Sequence, residues 1–291
     1  MVGIGTRLGL SKVAGGVREK ILGTELANLI TYWPQGEIPA SQEYLTFNGT
    51  STEVDFGSDA SLDDSPSAEF TVDFWVYLDD LDATYTVIGK TDGVALGWRV
   101  VPLSNGNTRF YIYYDTANAV CQTGVISDLA GQWVHICAWF DPVTGGQDLA
   151  VNGEWKTLPV STRSGSYQSD AAKNLYVGSY DSTGQFLDGN VGWVRISDND
   201  RYDGASPTYF TAPARTTIPT VDANTVGLWP FNEGYGTVAG DLSGNDNDGA
   251  ITDGDWGAYP AADNAEGTAA RDGAYTGVTL GQSVSPLSLI H

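Results

Sequence analysis

Residues Phe70–Leu78 read FTVDFWVYL, and their alternation decides the class of fold. Phe70, Val72, Phe74, Val76 and Leu78 fall on one side of an extended chain, and Thr71, Asp73, Trp75 and Tyr77 fall on the other. A period of two sustained this long means a strand, because successive side chains point to opposite faces. Further along, Phe110, Ile112 and Tyr114 alternate with Arg109, Tyr111 and Tyr113 in the same way. The composition agrees: 36 Gly and 12 Pro in 291 residues, 41% of them hydrophobic and only 17% charged, supply many turns and few helix formers. An all-β chain long enough to bury a substantial core follows.

Other motifs stand in order around that strand. Tyr44–Gly49 (YLTFNG) followed by Thr52–Phe56 (TEVDF) precedes it. Gly131–Ile136 (GQWVHI), Leu149–Gly153 (LAVNG), Asn174–Gly178 (NLYVG) and Leu187–Ile196 (LDGNVGWVRI) come after it. Leu29–Glu37 (LITYWPQGE) recurs as Val226–Gly234 (VGLWPFNEG). Together these resemble laminin G-like domains of the concanavalin A-like lectin/glucanase superfamily. The resemblance implies a two-sheet antiparallel jelly-roll sandwich over about residues 29–256, with Tyr44–Gly49 and Thr52–Phe56 forming a hairpin. It leaves an N-terminal arm at 1–28 and a C-terminal tail at 257–291, and it says little about function.

Charge is unevenly spread. In the first twenty residues Arg7, Lys12, Arg18 and Lys20 face only Glu19, a balance of +3, whereas the remaining 10 bases and 35 acids leave −25. Such an acidic body repels nucleic acid and anionic lipid surfaces, which argues against direct genome binding by the sandwich. No apolar run approaches the roughly 18 residues of a spanning helix, and Met1–Arg18 lacks the apolar stretch of a secretory signal. Residues 17–29 place Ile21, Leu22, Leu26 and Leu29 on one side of a short helix. The arm therefore reads either as a leader without structure or as a docking element. In the second case Ile21, Leu22 and Leu26, helped by Arg7, Lys12, Arg18 and Lys20, engage a neighbouring subunit or larger assembly. The tail is expected to be a remnant of a lost module or a strand-donating arm.

Catalysis finds little support. The chain has only His135 and His291, so a histidine-based triad has one candidate member and no nucleophile motif beside it. A glycosidase needs two facing carboxylates, and the Glu-x-Asp-x-x-Glu strand signature of the superfamily's glucanases is absent. Acids gather instead in loops. The best metal candidate is the 241–248 loop, where Asp241, Asn245, Asp246, Asn247 and Asp248 offer the oxygen ligands Ca²⁺ prefers, and many laminin G-like domains bind calcium. The same residues are ordinary turn formers.

Aromatics point to binding. By strand parity Trp75 shares a face with Tyr77, Tyr111 with Tyr113, and Trp133 with His135 and Trp139. Each set lies opposite its strand's aliphatic face, so the second face is either covered by other chain or used to grip a glycan or protein. Cys121 and Cys137 read as near-register partners in a hairpin centred near residue 129, where a disulfide is geometrically possible but a reducing compartment favours free thiols. Two functions are compatible with all this. One is a non-catalytic bacteriophage virion component, a capsid decoration or fibre subunit made in the host cytoplasm, bound to capsid or tail proteins and to copies of itself. The other is a bacterial surface or secreted carbohydrate-binding module; a glycosidase is the weakest third.

Overall fold

The computed structural model of the chain describes residues 44–126, 128–203 and 209–257. Its strands form two sheets, numbered here in chain order. The first runs β10 (Glu154–Trp155), β9 (Gly146–Val151), β8 (Trp133–Asp141), β3 (Phe70–Leu78), β13 (Asp188–Ser197), β1 (Leu45–Asn48) and β17 (Asp255–Trp256), with β14 (Thr225–Trp229) paired to the other half of β13. The second runs β11 (Leu158–Ser161), β7 (Ala119–Gln122), β6 (Thr108–Ile112), β5 (Gly97–Pro102), β4 (Ile88–Thr91), β12 (Leu175–Val177), β2 (Glu53–Asp55), β16 (Gly249–Thr252) and β15 (Val238–Ala239). Neighbouring strands are antiparallel. Among the described residues the only helical element is a 3-10 turn at Ser65–Ser67, and no helix is long and apolar enough to cross a membrane. The expected antiparallel sandwich is what forms.

The aliphatic side of β3 fills the space between the sheets. Phe70, Val72, Phe74, Val76 and Leu78 are all buried, and the Phe70 ring meets Trp98 at 5.3 Å and Phe110 at 5.8 Å across the gap. Each such side chain contributes about 1.5–3 kcal/mol by leaving water. The alternation of β6 does the same from the opposite sheet, with Phe110 and Ile112 inward.

Two expectations about strand pairing are corrected. Residues 44–56 do not make a hairpin, because β1 pairs with β13 and β17 whereas β2 pairs with β12 and β16. Asn48 Oδ1 accepts the amides of Thr50, Ser51 and Thr52, a tight turn that carries the chain from one sheet to the other. Cys121 and Cys137 likewise fall on different sheets. Cys121 lies against Phe110 in β6, Cys137 against Asp73 in β3, and both are buried free thiols that burial pushes well above the usual thiol range. The arm residues Arg7, Lys12, Arg18, Lys20, Ile21, Leu22 and Leu26, the strand expected near Leu29, and the tail beyond Gly257 lie outside the described residues.

Candidate functional site

Strand parity sends two groups of aromatic residues outward, one on each sheet, and the structure treats them differently. On the eight-stranded sheet, β3 and β8 present Trp75, Tyr77, Trp133, His135 and Trp139 to the outer face. A strap formed by residues 198–203 and 209–217 lies across that face. Trp75 Nε1 donates to the Pro213 carbonyl at 3.0 Å, Trp193 Nε1 to that of Ala214 at 3.4 Å, and the Arg215 guanidinium sits 4.4 Å above the Trp133 ring. The strap is fastened at Gly153, whose carbonyl accepts the Phe210 amide at 2.8 Å. Gly153 has φ +81°, and a Cβ there would stand 2.1 Å from the Phe210 carbonyl oxygen, so only glycine allows this approach.

Beneath the strap His135 is fully buried among the rings of Trp75, Trp193, Tyr202 and Phe210, with centroids 5.5–6.2 Å away. Next to it Asp73 accepts Arg195 Nε at 3.0 Å, Arg195 Nη2 at 2.9 Å and the Tyr202 hydroxyl at 2.6 Å, with His135 Nε2 at 3.4 Å. Burial alone would raise the Asp73 carboxyl. The hydrogen bond from His135 and the charge and hydrogen bonds of Arg195 outweigh it and hold the group below its ordinary value. Burial, aided by the Asp73 charge, pushes the Tyr202 phenol up. A ligand would reach His135 only by displacing the strap, whereas Trp75 is half-buried beneath it. Trp139 is also nearly buried, its ring against Gly146 and its Nε1 donating to Glu69 at 3.2 Å, while Tyr77 and Trp133 pack edge to face at 5.8 Å. Around His135, Trp139 and Trp193 this face is a second small core, with Trp75, Tyr77 and Trp133 half-buried at its edge.

The nine-stranded sheet carries no such strap among the described residues. Arg99 on β5 lies directly opposite Tyr111 on β6, and Val101 lies opposite Arg109, so Arg99, Arg109, Tyr111 and, just past the strand end, Tyr113 share one outer face. The Arg99 guanidinium rests over three rings, 5.1 Å from Tyr111, 5.8 Å from Tyr180 and 6.0 Å from Tyr113. Tyr111 and Tyr113 stack at 6.2 Å and 12°. Gly89 on β4 lies under the Arg99 stem, where a Cβ would come within 2.7 Å of the Arg99 Cβ, so that strand leaves a shallow floor beside the arginine. Gln185 Oε1 accepts Arg99 Nη1 at 3.0 Å, and Arg109 donates to Gln122 and to the Tyr111 hydroxyl, each at 3.0 Å. Tyr113 is nearly buried, its hydroxyl donating to the Gly93 carbonyl at 3.1 Å, whereas Tyr111, Tyr180, Arg99 and Arg109 are half-exposed. Two carboxylates belong to the same face further across the sheet. Both are engaged: Glu53 accepts the Ser179 and Ser182 hydroxyls, and Asp55 accepts the Gly57 amide and Asn174 Nδ2.

Residues 48–202 match the family described as the concanavalin A-like lectin/glucanases superfamily. The chain belongs to this superfamily. Among solved structures it is similar to a candidate carbohydrate-binding protein from Bacteroides ovatus, at 16% identity and TM-score 0.51, covering 76% of this chain and 61% of that one. It also matches domain 4 of a GH43 extracellular arabinanase from Geobacillus stearothermophilus in complex with arabinotriose, at 20% identity and TM-score 0.39, covering 54% and 70%. A third match is domains LG4-5 of the mouse laminin alpha1 chain, at 13% identity and TM-score 0.40, covering 60% and 47%. Comparison with curated proteins finds no match.

In this superfamily member the 241–248 loop is held by its own hydrogen bonds. Asp241 Oδ1 accepts the Leu228 and Ser243 amides, and its Oδ2 accepts the Ser243 hydroxyl and the Asn247 amide. Asp248 accepts the Asp241 amide, Asn245 Nδ2 donates to the Val226 carbonyl, and the buried Asn247 donates to the Ser61 hydroxyl. Asp246 is exposed, in a left-handed turn at φ 58°. No group of three or more His, Cys, Asp or Glu suited to a metal occurs among the described residues. Of the acids gathered in other loops, Asp63 pairs with the fully buried Lys90 ammonium at 2.9 Å. Arg99, Tyr180 and Gln185 carried no pattern in the sequence; their only signal is that their strands and loop meet beside Tyr111.

Proposed function

We propose that this is a non-catalytic binding protein that holds a saccharide on the outer face of its nine-stranded sheet, around Arg99, Tyr111, Tyr180 and Gln185. The observation that carries this reading is the contrast between the two aromatic faces. One is crossed by the strap of residues 198–203 and 209–217, which buries His135, and the other leaves half-exposed rings beside guanidinium and amide groups with no such strap among the described residues. Rings supply an apolar platform for a sugar face, and the flanking amide and guanidinium donors address its hydroxyls. Engagement of Glu53 and Asp55 by structural partners favours binding over hydrolysis, since their oxygens already accept hydrogen bonds from Ser179, Ser182, Gly57 and Asn174. Tyr111→Ala is expected to abolish retention on a glycan array while leaving the melting midpoint within about 2 °C, whereas Trp75→Phe, which loses the bond to Pro213, lowers the midpoint and leaves binding intact. The reverse pattern would overturn the assignment.

The charge contrast between residues 1–20 and the rest supports display of this domain on a larger body, with the virion surface as the setting it fits best. The basic arm would dock on an acidic partner surface and the acidic sandwich would project from it. Removal of residues 1–28 is expected to leave the unfolding transition in place and abolish incorporation into particles; unfolding of the truncated chain would assign the arm to the core instead.

A further inference from the structure

The positive charges of this molecule are partnered unevenly. Lys90 pairs with Asp63 and Asp170, Lys156 with Glu154, Arg195 with Asp73 and Arg201 with Asp222. In a chain of net charge −22 such pairing is the default, because carboxylates outnumber bases 36 to 14. Arg99 and Arg109 depart from it, as does Arg163 elsewhere, which donates to the Tyr114 hydroxyl and the Pro142 carbonyl. The partners of Arg99 and Arg109 are the neutral amides Gln185 and Gln122 and the Tyr111 hydroxyl, and Arg99 Nε has no partner although it is closed off from solvent. The two arginines flank Tyr111 diagonally on adjacent strands, about 7–8 Å apart at the backbone. An amide acceptor orients a guanidinium without neutralising it, so two aimed positive charges stand on the face read above as the saccharide platform. A planar fork of N–H donors matches the two oxygens of a carboxylate or sulfate.

We propose that this face takes a saccharide carrying an isolated oxyanion, a uronic-acid carboxylate or a sulfate ester flanked by neutral sugar rings. The proposal rests on the reading of the face as a saccharide site. The surrounding negative charge, including Glu53 and Asp55 further across the face, argues for one anionic group rather than many: a polyanion laid across the sheet would meet those carboxylates, whereas a single oxyanion can sit beside the two arginines. Charge selects the ligand here, and the tyrosines hold the sugar beside it.

The test is titration calorimetry of the full chain with glucuronosyl-xylotriose, with its neutral counterpart xylotetraose, with a monosulfated galactose oligosaccharide and with a long polyuronate, repeated on Arg99→Gln, Arg109→Gln, Arg99→Lys and Tyr111→Ala. Expected is at least tenfold tighter binding of the uronate or of the sulfate ester than of its neutral counterpart, the stronger of the two naming the source of the oxyanion. That margin is expected to vanish in Arg99→Gln and shrink in Arg109→Gln, to be partly retained in Arg99→Lys, and to fall several-fold between 50 and 500 mM salt, while melting midpoints stay unchanged. Neutral and anionic ligands binding equally well, and both being lost in Tyr111→Ala, would overturn the anion proposal and leave the saccharide site standing. Polyuronate binding more tightly per site than the single uronate would overturn the isolated-anion claim, and no binding of any saccharide would overturn the site itself.

Discussion

Lys90 is a cation placed inside the sandwich, and replacing it with methionine tests how its surroundings were assembled. Its position on β4 faces the core, and its side chain is fully buried. The ammonium meets Asp63 Oδ1 at 2.9 Å, the Ser58 hydroxyl at 2.8 Å, the Asp170 carbonyl at 2.9 Å and the Lys173 carbonyl, with Asp170 Oδ1 at 3.8 Å. Asp170 is itself buried and accepts the Asp64 amide and the Tyr167 hydroxyl, each at 2.7 Å. Burial pushes the Asp170 carboxyl up from 3.8 to about 6, against those hydrogen bonds and the Lys90 charge. Methionine keeps the bulk and removes the charge. Breaking a buried pair on one side costs about 3–5 kcal/mol, and the lower end applies because Asp63 is 24% exposed and can rehydrate.

The pH dependence fixes the cause. A carboxyl whose folded value lies above its unfolded value destabilises the fold when ionised. The cost, about 3 kcal/mol for a rise from 3.8 to about 6, is present above the folded value and disappears as pH falls towards the unfolded one. Without Lys90 the Asp170 value climbs further and the cost at neutral pH grows. Urea denaturation of Lys90→Met should therefore show a deficit of about 3–4 kcal/mol at pH 7.5 that shrinks by more than 1 kcal/mol at pH 5. Self-repulsion of the acidic body changes with pH in both proteins and cancels in the difference. A deficit below about 1 kcal/mol, or one equal at both pH values, would refute the argument.

Gly153→Ala should detach the strap: the methyl meets the Phe210 carbonyl and the backbone has φ +81°, so a loss of about 1–3 kcal/mol is expected, with Trp75 and Trp193 fluorescence shifting to the red. Unchanged stability and emission would show that the strap does not need this contact. EDTA should leave the melting midpoint unchanged. All four hydrogen bonds at the Asp241 carboxylate come from N–H and O–H donors that a calcium ion would have to displace, and a drop of several degrees on chelation would restore the metal reading of the 241–248 loop.

Much of the sandwich is legible in period-two alternation, because burying one face of a strand demands it: β3 is the Phe70–Leu78 alternation, β6 takes the Arg109–Tyr114 alternation as far as Ile112, and β8 carries Trp133, His135 and Trp139 on one face. Alternation does not say which strand pairs with which, so the Tyr44–Phe56 segment reads as a hairpin although its halves serve different sheets. It also fails at Gly192 and Trp193, where an irregularity in β13 between Val191 and Val194 leaves both neighbours inward and turns Trp193 to the outer face. Parity puts Trp75, Tyr77, Tyr111, Tyr113, Trp133, His135 and Trp139 on the outer faces where they are found, yet the choice between covered and open faces depends on a strap whose sequence reads as loop. Lys90 is illegible for a related reason: its counter-charges at Asp63 and Asp170 come from turns distant in sequence.

The central claim is that ligand meets the nine-stranded sheet while the aromatic face of the other sheet is core. A crystal structure of the full chain with the best-binding oligosaccharide from the titrations tests it most directly. The account predicts sugar density over Tyr111 and Tyr180, with the anionic group within hydrogen-bond distance of Arg99 or Arg109 and the strap unmoved over Trp75 and His135. Density at the 241–248 loop, or in place of a displaced strap, would contradict it.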